Sequence, residues 1–169
     1  MAEEQVIQEE LAAAFPSLAG KVRVARARRV FADVPSESIR DVFDHVVTKM
    51  QFGILCAITG LDEGPTLGVI YHLAREGGVV LNLHTSLPKE APVLQTVTAR
   101  FPAAEMYERE MMDLLGMQVQ GLPPGPRYPL PDTWPPGQYP LRKDWNPETL
   151  PPVTKAGLAT PASSEVDHA

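Results

Sequence analysis

Along the first 116 residues the apolar positions follow either a helical or a strand period, and beyond Gly116 they follow neither. Residues 3 to 15 set Ile7, Leu11, Ala14 and Phe15 on one side of a helix that stops at Pro16, which predicts a cap on a larger body. In KVRVARARRVF, residues 21 to 31, basic and small apolar residues alternate as in one edge strand with a wet face. Its cations are read as a solvated edge that resists aggregation, the commoner use of such charges, with a docking surface as the alternative. Between 36 and 50, Ile39, Val42, Phe43, Val46 and Met50 recur at three and four, and Ser36 is placed to accept amide hydrogens of the first helical turn. Three strand-like runs follow, FGILCAIT from 52, TLGVIYHLA from 66 and GVVLNLHTSL from 78, joined by turns short enough for an antiparallel meander. Pairing the last two sets Leu67, Val69, Tyr71 and Leu73 against Val79, Leu81 and Leu83 and puts His72 and His84 together on the other face. Two histidines on one face raise a metal site, but the pattern supplies no third ligand.

From residue 89 the period is helical again. Pro92 and Pro102 each suit a first turn, so the pattern predicts a short helix from 92 to about 99 and a second from 102 to 115, closed by Gly116. On the second, Ala103, Tyr107, Met111, Leu114 and Leu115 form the apolar stripe, while Glu105, Glu108, Arg109, Met112 and Asp113 lie away from it. Pairing of Glu105 with Arg109, and of Arg109 with Asp113, accounts for much of the charge without any function. Glu110 falls on the margin of the stripe, where a half-buried carboxylate requires a partner. Glutamates two apart on a helix point some 160° apart, so Glu108 and Glu110 make a poor acid and base for one substrate atom.

Composition changes sharply after Gly116. Residues 121 to 152 hold eleven of the 18 prolines, a spacing that excludes regular elements, together with Leu122, Tyr128, Leu130, Trp134, Tyr139, Leu141 and Trp145. A strap with that much apolar surface must lie against something. Docking on another protein is the favoured reading, and folding back on its own domain the alternative. Within it Arg142, with its planar fork, is the expected carboxylate contact, ahead of Lys143. The organisation expected is a capping helix over residues 1–20, an α+β domain with a mostly antiparallel sheet over 21–120, and an extended Pro-rich strap and tail over 121–169.

A net charge of −6 with scattered basic residues argues against a nucleic-acid partner. Cys56 is the only cysteine, so no disulfide and no cysteine-built zinc or iron–sulfur site can be completed within the chain. The first residues are acidic and no apolar run approaches the roughly 20 residues that span a bilayer, so any membrane link is expected to be indirect.

The stretches AAEMYEREMMDLLGMQVQGLP and LPDTWPPGQYPLRKDW resemble the signature of the thirty-kilodalton subunit family of respiratory complex I and the energy-converting membrane-bound nickel–iron hydrogenases. The likeness runs from about residue 50 to 146. It implies an α+β subunit, without a cofactor of its own, that packs on the large subunit bearing the quinone site or the nickel–iron centre, beside small iron–sulfur subunits. Carried over, Glu108, Arg109, Glu110 and Asp113 match the helix motif and Pro140, Leu141, Arg142, Lys143 and Asp144 the strap motif. With Arg127, Trp134, Tyr139 and Trp145 they form the expected interface and structural set, with no catalytic, cofactor or metal residue. Complex I members usually carry Gly-His-Pro after the helix and again before L-R-K-D. Here GLPPG from Gly121 and GQYPLRKDW from Gly137 lack both histidines, which favours the hydrogenase and formate hydrogenlyase branch. The resemblance places the chain in the cytoplasm, on the inner face of the cell membrane through its complex.

Three classes of function therefore stand: a structural subunit of a membrane-bound redox complex, of the hydrogenase or else the complex I type; a freestanding binding module; and an enzyme. The last has little support, because the sequence holds no nucleotide loop, nucleophile motif or clustered metal ligands.

Overall fold

The structure is a computed structural model and describes residues 2–150. Helix α1 (Glu3–Ala14) leads through a single 3-10 turn into β1 (Val22–Arg26) and β2 (Arg29–Asp33), then α2 (Ile39–Thr48) and the strands β3 (Ile54–Asp62), β4 (Thr66–Ala74) and β5 (Val80–Pro88). A short β6 (Val93–Gln95), α3 (Ala104–Leu115) and β7 (Gln118–Gln120) complete the α+β domain. The main sheet has the order β1-β2-β5-β4-β3 and is antiparallel except where β2 runs parallel to β5.

The expected meander forms, with Leu67 opposite Leu87, Tyr71 opposite Leu83 and Leu73 opposite Leu81. These residues line a core into which α1 sends Ile7 and Leu11, α2 Val42, Phe43 and Val46, and α3 Met111 and Leu115. Phe43 meets Tyr71 edge to face at 5.2 Å. All three helices pack on this one face of the sheet.

Three local expectations are corrected. Residues 21 to 31 are not one strand but a hairpin, β1 and β2, turned at Arg28, whose φ of 60° is left-handed without the glycine that marks such turns. Residues 92 to 99 hold β6, which pairs parallel with β7; Val93, Thr96, Val97 and Thr98 are β-branched and favour this extended course over a helix. Helix α2 is preceded by Ser38, not Ser36, and has no side-chain cap, since Ser38 Oγ donates to the Pro35 carbonyl and Ser36 Oγ to Glu37.

Residues 121–150 have no regular element beyond a 3-10 turn at Pro147–Thr149, as their prolines require. Residues 151–169 of the expected strap lie outside the described residues.

Candidate functional site

Helix α3 carries Glu108, Arg109, Glu110 and Asp113, and the structure exchanges the placements expected of the two glutamates. Glu108 is 2% exposed and points inward. Its Oε1 accepts from the Val97 amide at 2.7 Å and its Oε2 from the Thr96 hydroxyl at 2.6 Å, while Arg40 on α2 donates to the Thr96 carbonyl at 2.7 Å. The carboxylate therefore stitches the loop after β6 to α3. Burial pushes its pKa above the ordinary value, and the two donors and the Arg40 charge offset this only in part.

Arg109 and Asp113 are also buried, on the side of α3 that the strap covers. Arg109 pairs with Glu105 at 2.8 Å, as expected, and donates to the Pro123 carbonyl at 2.7 Å. A side chain at Gly125 would run into the Arg109 guanidinium, so the strap passes there only because that residue has none. Asp113 does not pair with Arg109; it accepts from Arg127 Nε and, at 2.7 Å, from the Leu130 amide. Arg127 in turn donates to the Trp134 carbonyl at 2.8 Å.

The motif around Leu141 repeats this pattern. The Leu141 amide donates to the Leu114 carbonyl at 3.1 Å and Arg142 Nε to the Leu115 carbonyl at 2.7 Å, which satisfies two orphan acceptors at the C-terminus of α3. Arg142 also lies 4.7 Å over the Tyr139 ring. That ring seats on Gly116, the left-handed cap of α3 at φ 70°, where an added Cβ would come within 2.5 Å of it. Asp62, at the end of β3, accepts from the Lys143 amide and from Lys89 Nζ, both at 2.8 Å, and Lys89 reaches Asp144 at 3.0 Å. Burial opposes ionisation of Asp62, but Lys89 and the amides of Lys143 and Gly64 outweigh it and hold its pKa at about 2. Trp134 and Trp145, 6.1 Å apart, both donate to Gln138, the first to its backbone carbonyl and the second to its side-chain oxygen.

Three expectations fall here. The strap over 121–150 folds back on its own domain, and Arg142 serves the helix end instead of a partner's carboxylate. Glu110 is exposed rather than half-buried, at the lip of a groove of about 180 Å³ beside Leu141 and Gly60. The apolar stripe misplaces these charges because Glu108, Arg109 and Asp113 face the loops on either side of α3, where backbone groups supply the partners that hydrophobic periodicity does not register. Asp62 and Lys89 escape sequence reasoning altogether. Their signal, an acid in a tight DEG turn and a lysine beyond a strand end, is indistinguishable in sequence from ordinary surface charge.

Exposed apolar side chains gather on α3 and the strap. Of the seven large hydrophobic side chains exposed among the described residues, Met106, Met112, Tyr128 and Leu141 belong to α3 and the strap. A cleft of about 410 Å³ lies between the two, floored by Arg109, Asp113 and Arg127 and walled by Tyr128 and Tyr139. Its charges are consumed by internal bonds with Glu105, the strap carbonyls and the Leu130 amide, which leaves them poorly placed for acid–base work. His72 and His84 do share the outer sheet face. His72 engages Thr59 at 2.9 Å and Asn82 at 2.6 Å, and His84 engages Asp33 at 2.9 Å and Glu63 at 2.8 Å. Among the described residues no group of three or more His, Cys, Asp or Glu could hold a metal ion, and no helix is long and apolar enough to cross a membrane.

Residues 32–150 match the family described as respiratory-chain NADH dehydrogenase, 30 Kd subunit. A subunit of the F(420)H(2) dehydrogenase of Methanosarcina mazei is 31% identical over 144 residues, 83% of this chain and 90% of the relative. Formate hydrogenlyase subunit 5 of Escherichia coli is 34% identical over 152 residues, 85% of this chain but only 26% of that longer protein. Further relatives are named as subunits of NADH-quinone oxidoreductase and of a membrane-bound hydrogenase. Among solved structures, a chain of the membrane-bound sulfane sulfur reductase, an archaeal respiratory membrane complex, superposes with a TM-score of 0.73 at 29% identity, covering 84% of this chain and 85% of that one. The chain belongs to the thirty-kilodalton subunit family, whose relatives here are subunits of hydrogenase, formate hydrogenlyase and complex I-like assemblies.

Proposed function

We propose that this chain is a structural subunit, without a cofactor of its own, of a membrane-associated energy-converting hydrogenase complex of the formate hydrogenlyase type, and that it docks on the large subunit bearing the nickel–iron centre. The observation that carries this reading is the state of α3 and the strap. Buried charges fix the strap to the helix, so that little entropy is left to lose on association, while Met106, Met112, Tyr128 and Leu141 stay exposed on the two elements. A rigid apolar surface of that kind is a docking surface, not a catalytic one.

The difference in length among the relatives supports the choice of partner. A segment that forms about a quarter of formate hydrogenlyase subunit 5 and stands as a separate chain elsewhere is expected to rest against the remainder of that longer polypeptide. The hydrogenase branch is favoured by the two missing Gly-His-Pro histidines. The corresponding subunit of a complex I-type NADH-quinone oxidoreductase, in the same scaffold role, is the second reading, favoured by the relatives named as parts of that enzyme. In either case the chain lies at the membrane's inner face only through its complex, with small iron–sulfur subunits among its neighbours.

Affinity purification of the tagged chain from its own cells in mild detergent, read by mass spectrometry, tests this. Recovery of a nickel–iron-type large subunit is expected. A quinone-site subunit accompanied by flavoprotein subunits would move the assignment to complex I, and a chain recovered without any redox subunit would overturn both readings.

A further inference from the structure

The three helices cover only one face of the main sheet. Register places Arg23 opposite Phe31, Phe31 opposite Asn82 and Arg29 opposite Val80, so that these side chains stand together at one corner of the uncovered face. Phe31 and Val80 are only half-buried there. Lys21, Arg23, Arg26 and Arg28 are exposed around this corner and Arg29 is half-buried. None of the five forms an ion pair within 4.0 Å among the described residues. The Arg23 guanidinium carbon lies 4.4 Å from the Phe31 ring centre, and Arg29 donates to the Arg28 carbonyl at 2.7 Å, which restrains both guanidinium groups. Among the described residues the only carboxylate bound to the hairpin turn is that of Glu4, and it takes the Arg28 amide, at 2.6 Å.

The segregation of charge is the second observation. Residues 21 to 31 hold five of the chain's 15 basic residues and no acidic one, which leaves ten basic against 21 acidic residues, a charge of −11, everywhere else. A solvated edge that merely resists pairing needs one or two lysines, not four arginines around a half-buried phenylalanine.

We infer that the β1–β2 corner is a second docking surface, for an acidic segment of a neighbouring protein subunit. Arginine matches carboxylates bidentately, and the apolar patch that it frames suits the centre of a protein contact with a charged rim. A bilayer carrying anionic headgroups is a poorer occupant. It presents negative charge over a plane wider than the corner, and the −11 of the remaining chain opposes that approach within a Debye length of about 10 Å at 0.1 M salt. The inference rests on the chain being part of a complex, as proposed above, but concerns a different face from α3 and the strap.

The test uses the full chain in its own cells. A photo-crosslinking residue replaces exposed Ala27 at the hairpin tip, and the variant R23E/R26E/R28E is purified beside wild type at low and moderate salt. The crosslink is expected on an acidic stretch of a partner subunit. The triple variant is expected to melt within a few degrees of wild type and to recover that subunit at least tenfold less well, while wild-type recovery falls with salt. A crosslink to lipid, to a second copy of this chain, to a neutral or basic protein segment, or to nothing overturns the inference. So does equal recovery of the crosslinked subunit by the triple variant; should that variant melt early, R26Q/R28Q, read the same way, decides. If the wild-type chain recovers no redox subunit at all, the proposed function fails and takes this inference with it; if wild type recovers redox subunits and the corner variants recover them equally well, the inference alone fails.

Discussion

Glu108 and Glu110 stand two residues apart on α3 and meet opposite fates. Removing the Glu108 side chain strands the Val97 amide and the Thr96 hydroxyl in a buried site, so Glu108→Ala should cost about 2 kcal/mol in urea unfolding. Glu110→Ala, at an exposed position, should stay within about 0.5 kcal/mol; equal losses for the two would show that the burial is misjudged. The raised pKa of Glu108 gives a sign as well. A carboxyl held above its ordinary value favours the folded state when protonated, and that contribution is lost as pH rises through the folded value. Stability of wild type relative to Glu108→Gln should therefore fall as pH rises above the ordinary glutamate range, and a flat difference would count against it. Asp62 runs the other way. Its pKa is lowered from 3.8 to about 2, so its hold on the Lys143 amide is present above the ordinary range and lost as pH falls through about 2. Fluorescence of Trp145, two residues beyond Lys143, should report loosening of the strap between about pH 4 and 2 in wild type and no such step in Asp62→Asn. Neither residue's role is legible in the sequence, because periodicity ranks positions by apolar neighbours and these carboxylates are held by backbone amides.

Among the elements, those with a strong local signal are legible: α1, α2, α3, the meander and the Gly116 stop all stand where their spacing puts them. The elements that the pattern does not reveal depend on distant partners. Strands β6 and β7 are three residues each and exist only because they pair across the intervening helix. The β1–β2 turn is built on Arg28 rather than on a glycine. Gly116 shows how local and distant causes combine, since it both caps α3 and receives the Tyr139 ring. Gly116→Ala should therefore cost more than the roughly 1 kcal/mol of a left-handed cap alone, because the ring must also shift. A double variant with Tyr139→Ala should recover part of that loss, and strict additivity of the two would show that the ring does not depend on this seat.

For the whole molecule, the family signature reveals that α3 and the strap belong together, but nothing in the local pattern tells whether the strap joins its own domain or a neighbour. That choice is made by contacts between residues far apart in sequence, Asp113 with Arg127 and Leu130, and Asp62 with Lys143. The resulting fold predicts one cooperative unit. Cutting the chain after Gly137 removes Tyr139 from its glycine and uncovers the Leu114 and Leu115 carbonyls, so the truncated protein should melt several degrees lower, whatever happens to assembly. The two tryptophans, Trp134 and Trp145, both lie in the strap, whereas the helices and the main sheet all lie upstream of it. Tryptophan fluorescence thus reports the strap and far-ultraviolet circular dichroism the domain. In the intact isolated chain the two probes should trace the same thermal transition, because a strap pinned by buried charges cannot peel away without exposing them. An earlier transition in fluorescence than in dichroism would mean that the strap is held only by its partner, and the rigid docking surface on which the proposed function depends would then exist only inside the complex.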